Sequence, residues 1–95
     1  MIPTNKVFYL LNNNFIGEIH VSIGSMSVLR FLNLSWNQLE WKIPACLSQI
    51  YALEELDLAK NKLQGPIPPE LSKLSMLTSL NVLYNNLCGP IPTRT

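Results

Sequence analysis

Apolar residues in this chain follow two spacings at once: they alternate over short runs, and the runs themselves recur every 24 residues. In Leu29-x-x-Leu32-x-Leu34 the last two apolar positions are two apart, as on a short strand with one buried face, and the pattern returns at Leu53 to Leu58 and Leu77 to Val82. Sliding the chain by 24 aligns Phe8, Leu32, Leu56 and Leu80, then Leu10, Leu34, Leu58 and Val82, then Ile19, Ile43, Ile67 and Ile91. A polar column keeps the same phase: Asn13, Asn37, Asn61 and Asn85, each two positions before Phe15, Leu39, Leu63 or Leu87. A fixed period of this length marks a solenoid, in which each coil packs only on its neighbours.

Each column carries a structural expectation. The alternating runs predict one short strand per coil, joined into a parallel sheet. The Asn column falls where the chain leaves the strand. A buried amide there satisfies backbone groups of its own coil and the next. The segment Asn61-x-Leu63-x-Gly65-x-Ile67-Pro68 predicts a second short extended stretch, with Gly65 supplying an unusual backbone angle. Pro68 ends it, and Pro69 to Leu74 reads as a short helical or 3₁₀ return on the outer face. The fold class is therefore an α/β solenoid with a single domain over residues 1–95, in about four 24-residue copies.

Composition narrows the function. The chain is 47% hydrophobic and 14% charged, with a formal net charge of +1. Its seven Lys and Arg are scattered among six acids, so no basic run argues for nucleic acid. No apolar run approaches the roughly 18 residues of a membrane span, and the start, Met1 to Lys6, lacks the apolar core of a signal peptide.

The string Leu53-x-x-Leu56-x-Leu58-x-x-Asn61-x-Leu63-x-Gly65-x-Ile67-Pro68-x-x-Leu71-x-x-Leu74 resembles, at every defined position, the plant-specific leucine-rich repeat. The resemblance covers about residues 5–92. It implies a right-handed, curved solenoid with a parallel concave sheet. In this family that face binds ligands, in extracellular receptor kinases, receptor-like proteins and polygalacturonase-inhibiting proteins. The last copy, from Asn81 to Thr93 with Tyr84-Asn85 followed by Leu87-Cys88-Gly89 and Ile91-Pro92, is similar to the final repeat of the inhibitors and their relatives, and related terminal repeats occur in receptor-like proteins. The family's disulfide-bearing caps are not visible, since no Cys precedes Cys46, and a coil stack without polar caps is expected to fray or self-associate through its open ends.

Some positions depart from the pattern. Trp41 stands where the second copy should have Gly, and its indole must point outward or distort the coil. His20 replaces a Pro and reads as a solvated substitution. Leu11 and Leu83 occupy a column that holds Ser35 and Ala59 elsewhere, which makes the strand face apolar near both ends or covers the ends of the stack. Cys46 and Cys88 lie two coils apart, roughly 10 Å at about 4.8 Å per coil. That exceeds the ~7 Å reach of a disulfide, and two thiols without partner spacing do not make a metal site.

Function should then lie in the residues between the apolar strand positions. On this reading Tyr9, Asn12, Arg30, Asn33, Ser35, Trp36, Glu54, Glu55, Asp57, Lys60, Thr78, Ser79, Asn81 and Tyr84 face solvent on the strand side. The candidate ligand-binding set is Tyr9, Arg30, Asn33, Trp36, Glu55, Asp57, Lys60, Ser79, Asn81 and Tyr84; Trp, Tyr and Arg are the types that anchor protein interfaces. An open sheet bearing Glu54, Glu55 and Asp57 without a cleft or a nearby base does not support catalysis, and no cofactor or metal is implied. Asn33-Leu34-Ser35 is a glycosylation sequon whose Asn is expected to face solvent.

The expected function is recognition of a protein or peptide outside the cell or at its surface. A co-receptor ectodomain is one candidate partner. Another is a pathogen cell-wall enzyme whose basic patch meets the acidic third copy. Ice binding is the alternative, though Tyr9, Asn33, Asp57, Asn81 and Asn12, Trp36, Lys60, Tyr84 lack the regularity that an ice surface calls for. Self-association of a truncated repeat protein is a further one.

Overall fold

In a computed structural model, residues 26–89 are described in full, together with the backbone of two segments before them, 7–9 and 16–17. Leu11, Asn12, Asn13 and His20, and the side chain of Tyr9, lie outside the described residues.

Each copy contributes one three-residue strand to a parallel sheet: β1 (Val7–Tyr9), β3 (Phe31–Asn33), β5 (Glu55–Asp57) and β7 (Ser79–Asn81). They pair in the order β1-β3-β5-β7, each residue opposite the one 24 later, as in Leu32 with Leu56 and Leu56 with Leu80. The sequence period is thus the sheet register. The second extended stretches are β2 (Ile16–Gly17), β4 (Gln38–Leu39), β6 (Gln64–Gly65) and β8 (Asn86–Leu87). They form two short parallel pairs, β2 with β4 and β6 with β8, linked by a bridge between Lys42 and Gln64.

The returns are 3₁₀ turns, Ala45–Gln49 and Pro69–Lys73, each entered from a proline, Pro44 or Pro68. In the third copy the N–H groups of Leu71, Leu74 and Leu77 each donate to the carbonyl three residues back, at 3.1 Å. Leu47, Ile50 and Leu53 do the same in the second, at 3.0 to 3.2 Å. With three residues per turn, every third side chain falls on the inner face, and these apolar positions are spaced by three. That is why the return is 3₁₀ and not α-helical.

One core runs through the coils. Leu29, Leu32, Leu47, Ile50, Leu53, Leu56, Leu58, Leu63 and Leu74 are all fully enclosed, and burying each such side chain contributes about 1.5 to 3 kcal/mol. In the fourth copy Leu80, Val82 and Leu87 are only partly buried, because β7 ends the sheet among the described residues.

The asparagine column closes the turns. Asn61 Nδ2 donates to the carbonyls of Leu58 (3.0 Å), Ala59 (3.2 Å) and, in the preceding coil, Leu34 (3.0 Å). Its Oδ1 accepts from the N–H of Leu39 at 3.0 Å. Asn85 repeats the arrangement one coil on, reaching Leu58 and accepting from Leu63. The neighbour that each amide ties is the preceding coil, where the sequence suggested the next one.

Trp41 resolves plainly. It takes φ +69°, close to the +75° of Gly65 and +82° of Gly89 in the same column, and is 61% exposed. The coil keeps the glycine's backbone angle and the indole points out. No helix among the described residues is long and apolar enough to cross a membrane. Cys46 is half-buried and Cys88 exposed, as their polar columns suggest.

Candidate recognition surface

Pleating sets which residues line the strand face. In β3, β5 and β7 the middle residue, Leu32, Leu56 or Leu80, turns inward, so the flanking residues turn outward. The first outward column is Phe31, Glu55 and Ser79, and the second is Asn33, Asp57 and Asn81. Together they rim a shallow hollow of about 130 Å³, floored by Leu32 and Leu56. Phe31 is an addition to the candidate set, and its place 24 residues before Glu55 gives it away.

The second outward column also has a backbone task. Asn33 Oδ1 accepts the N–H of Ser35 at 3.0 Å and its hydroxyl at 2.6 Å. Asp57 Oδ1 accepts the N–H of Ala59 at 3.0 Å, and Asn81 Oδ1 that of Leu83 at 3.2 Å. These are Asx turns, a habit of Asn and Asp that the sequence could have revealed. One oxygen of each side chain is thereby fixed, and Asn33 is half-buried instead of facing solvent freely. Ser35 corrects another expectation: it is 4% exposed and packed beneath the face, as is Ala59 at 6%. In the same column Leu83 is 64% exposed, in the copy that ends the sheet.

Before the strands, Arg30 Nε donates to Glu54 Oε2 and the guanidinium lies 5.1 Å from the Phe31 ring centroid. The hydrogen bond and the attraction between the charges raise the Arg30 pKa. The hydrogen bond from Arg30 chiefly holds the Glu54 carboxyl below its ordinary value, against an opposing effect of burial and with help from the Arg30 charge. This pair neutralises itself. Glu55 and Asp57 have no cationic partner within ion-pair distance among the described residues, so the middle of the face is acidic.

Past the strands, Trp36, Lys60 and Tyr84 form a ladder over three coils. The Lys60 ammonium sits 4.4 Å from the centroid of the Trp36 ring and 4.1 Å from that of Tyr84. All three are left-handed, with φ of +58°, +60° and +60°. Of the candidate set, then, Phe31's neighbours Asn33, Glu55, Asp57, Ser79 and Asn81 share the hollow, Trp36, Lys60 and Tyr84 share the ladder, and Arg30 pairs with Glu54. Tyr9 is placed in β1 by its backbone alone. Among the described residues no group of three or more His, Cys, Asp and Glu converges on a metal position.

A family model described as Leucine Rich Repeat matches residues 28–50 and 52–74. No curated protein sequence matches the chain. Among solved structures, the BIR3–SERK2 complex from Arabidopsis thaliana superposes with a TM-score of 0.85 at 37% identity, over 90% of this chain and 46% of that one. The LRR ectodomain of the receptor kinase SOBIR1 from Arabidopsis thaliana gives 0.80 at 38% identity, over 83% and 44%. A plant ice-binding protein gives 0.83 at 35% identity, over 86% and 27%. The chain thus spans less than half the length of each of these neighbours. The repeats at residues 28–50 and 52–74 are leucine-rich repeats, and the likeness to receptor ectodomains supports the plant kind. Leucine-rich repeat domains are in general non-catalytic modules for protein interaction.

Proposed function

We propose that this chain is the recognition module of a plant receptor or defence protein and meets a protein or peptide partner outside the cell through its strand face. The observation that carries this reading is the hollow between Phe31, Asn33, Glu55, Asp57, Ser79 and Asn81, a contiguous outward surface with two unneutralised carboxylates. Its likeness to a receptor-kinase ectodomain points the same way. The coil forms one domain, and its crossovers are taken as right-handed, the hand of nearly all parallel connections.

The acidic middle of the face suits a partner with a basic patch, which steers association and fixes register. A secreted polygalacturonase with such a patch is one candidate, inhibited by occlusion; a co-receptor ectodomain is another. The test is a pull-down of both classes with the immobilised chain, followed by Asp57→Lys. Binding weakened at least tenfold supports the reading, and binding untouched by both Asp57→Lys and Trp36→Ala rejects it.

Ice binding draws support from one neighbour, the plant ice-binding protein. Against it, the outward columns read Phe31, Glu55, Ser79 and Asn33, Asp57, Asn81, without the repetition of one small polar residue. A thermal-hysteresis assay that gave a clear gap would displace the protein-recognition reading.

A further inference from the structure

The backbone at Trp36, Lys60 and Tyr84 is one that glycine and asparagine adopt without strain and bulky residues rarely do. The fold therefore asks for Asn or Gly at this column and the chain supplies none in three successive coils. Side-chain chemistry, and not backbone preference, must account for what stands there.

What stands there is a set of hydrogen-bond donors. An ammonium has three N–H groups and no acceptor, an indole has one N–H, and a phenol has one O–H. The two rings flank the Lys60 ammonium, while no carboxylate among the described residues lies within ion-pair distance. Trp36 is 55% exposed and Tyr84 is 70% exposed, with Lys60 half-buried between them, so the two rings are open to a partner. Rigid aromatic side chains lose little conformational freedom on binding, which is one reason they anchor interfaces.

We infer that the Trp36–Lys60–Tyr84 ladder is an anion-reading site that takes a carboxylate of the bound partner, with the Lys60 ammonium as charge partner and the rings as walls. This rests on the reading that a partner faces the strand side. It adds that the partner's bound segment carries an acidic group beyond the part that meets Glu55 and Asp57. The carboxylate comes either from an Asp or Glu side chain or from a chain end.

Two tryptophans make the test internally controlled, because Trp41 lies in a different column and reports nothing of the ladder. The ¹⁵N-labelled chain is titrated to millimolar concentration with three peptides. They are acetyl-Ala-Glu-Ala-amide, acetyl-Ala-Gln-Ala-amide and acetyl-Ala-Ala-Ala with a free C-terminus. The expected result is a saturable shift of the Trp36 indole N–H with a carboxylate-bearing peptide, at least fivefold larger than with the Gln peptide, and a still Trp41 indole. The first and third peptides tell side chain from chain end. Lys60→Met and Lys60→Asn, the second suited to the left-handed backbone, should both abolish the shift. A Trp36 response equal for Gln and Glu, one that survives both variants, or none with either carboxylate overturns the inference. If the backbone amides of Glu55 and Asp57 respond while Trp36 does not, the ladder assignment falls and the strand-face reading stands; if no strand-face signal moves in any titration and the pull-down also fails, both fall.

Discussion

Lys60 and Asn61 are neighbours in sequence with opposite fates. Asn61 is 8% exposed and spends its whole amide on four backbone groups, two of them in the preceding coil. Lys60 lies on the surface between two rings and bonds to no other side chain among the described residues. The same division separates their columns: Asn37, Asn61 and Asn85 are identical, whereas Trp36, Lys60 and Tyr84 differ at every coil. An invariant position in a repeat satisfies a need that every coil shares. A position that varies from coil to coil is less bound by such a need, and recognition can be built there.

The largest expected effect breaks the interior column. Asn61→Ala leaves the Leu39 N–H and the Leu34 carbonyl without this partner, and should lower stability by about 2 to 3 kcal/mol, read from the urea midpoint. Asn85→Ala should cost less, about 1 kcal/mol, because Asn85 is half-buried and water can replace its bonds. In the other direction, Trp41→Gly relieves a left-handed tryptophan with an exposed ring and should gain about 1 kcal/mol. Thermal unfolding would register that gain as a higher Tm.

The smallest effect concerns Arg30 and Glu54. Glu54 has a folded pKa below its unfolded one. Its contribution is therefore present above the unfolded pKa and is lost as pH falls through the folded pKa. Both side chains are open to solvent, so the acid-side loss should be slight and weaken in salt. Arg30→Gln should remove that salt-sensitive part of the acid titration and leave the neutral-pH midpoint almost unmoved.

Much of this fold could be read from the chain. The period became the strand register, the apolar residues spaced by three became the inner face of 3₁₀ returns, and Trp41 kept the backbone of the glycine it replaces. The interior asparagines were legible because burial leaves an amide few options. The strand face was legible only in outline. Asn33, Asp57 and Asn81 bind their own backbone through one oxygen, a local bond that alternation does not reveal. Ser35 sinks into the coil because the chain has already turned when it arrives there. Phe31 is apolar beside apolar Leu32, so nothing in its type marks it as outward, and pleating ignores polarity. The pairing of Arg30 with Glu54 and the stacking of Lys60 between rings depend on side-chain reach across coils, which a one-dimensional pattern does not contain.

The central claim is that adjacent columns divide scaffold from recognition. Urea unfolding of Asn61→Ala and Lys60→Asn, side by side with the parent chain, tests it most directly. The account predicts a loss of about 2 to 3 kcal/mol for Asn61→Ala and a change within about 0.5 kcal/mol for Lys60→Asn, whose favourable backbone offsets the lost cation–π contacts. Equal losses at the two positions would contradict it.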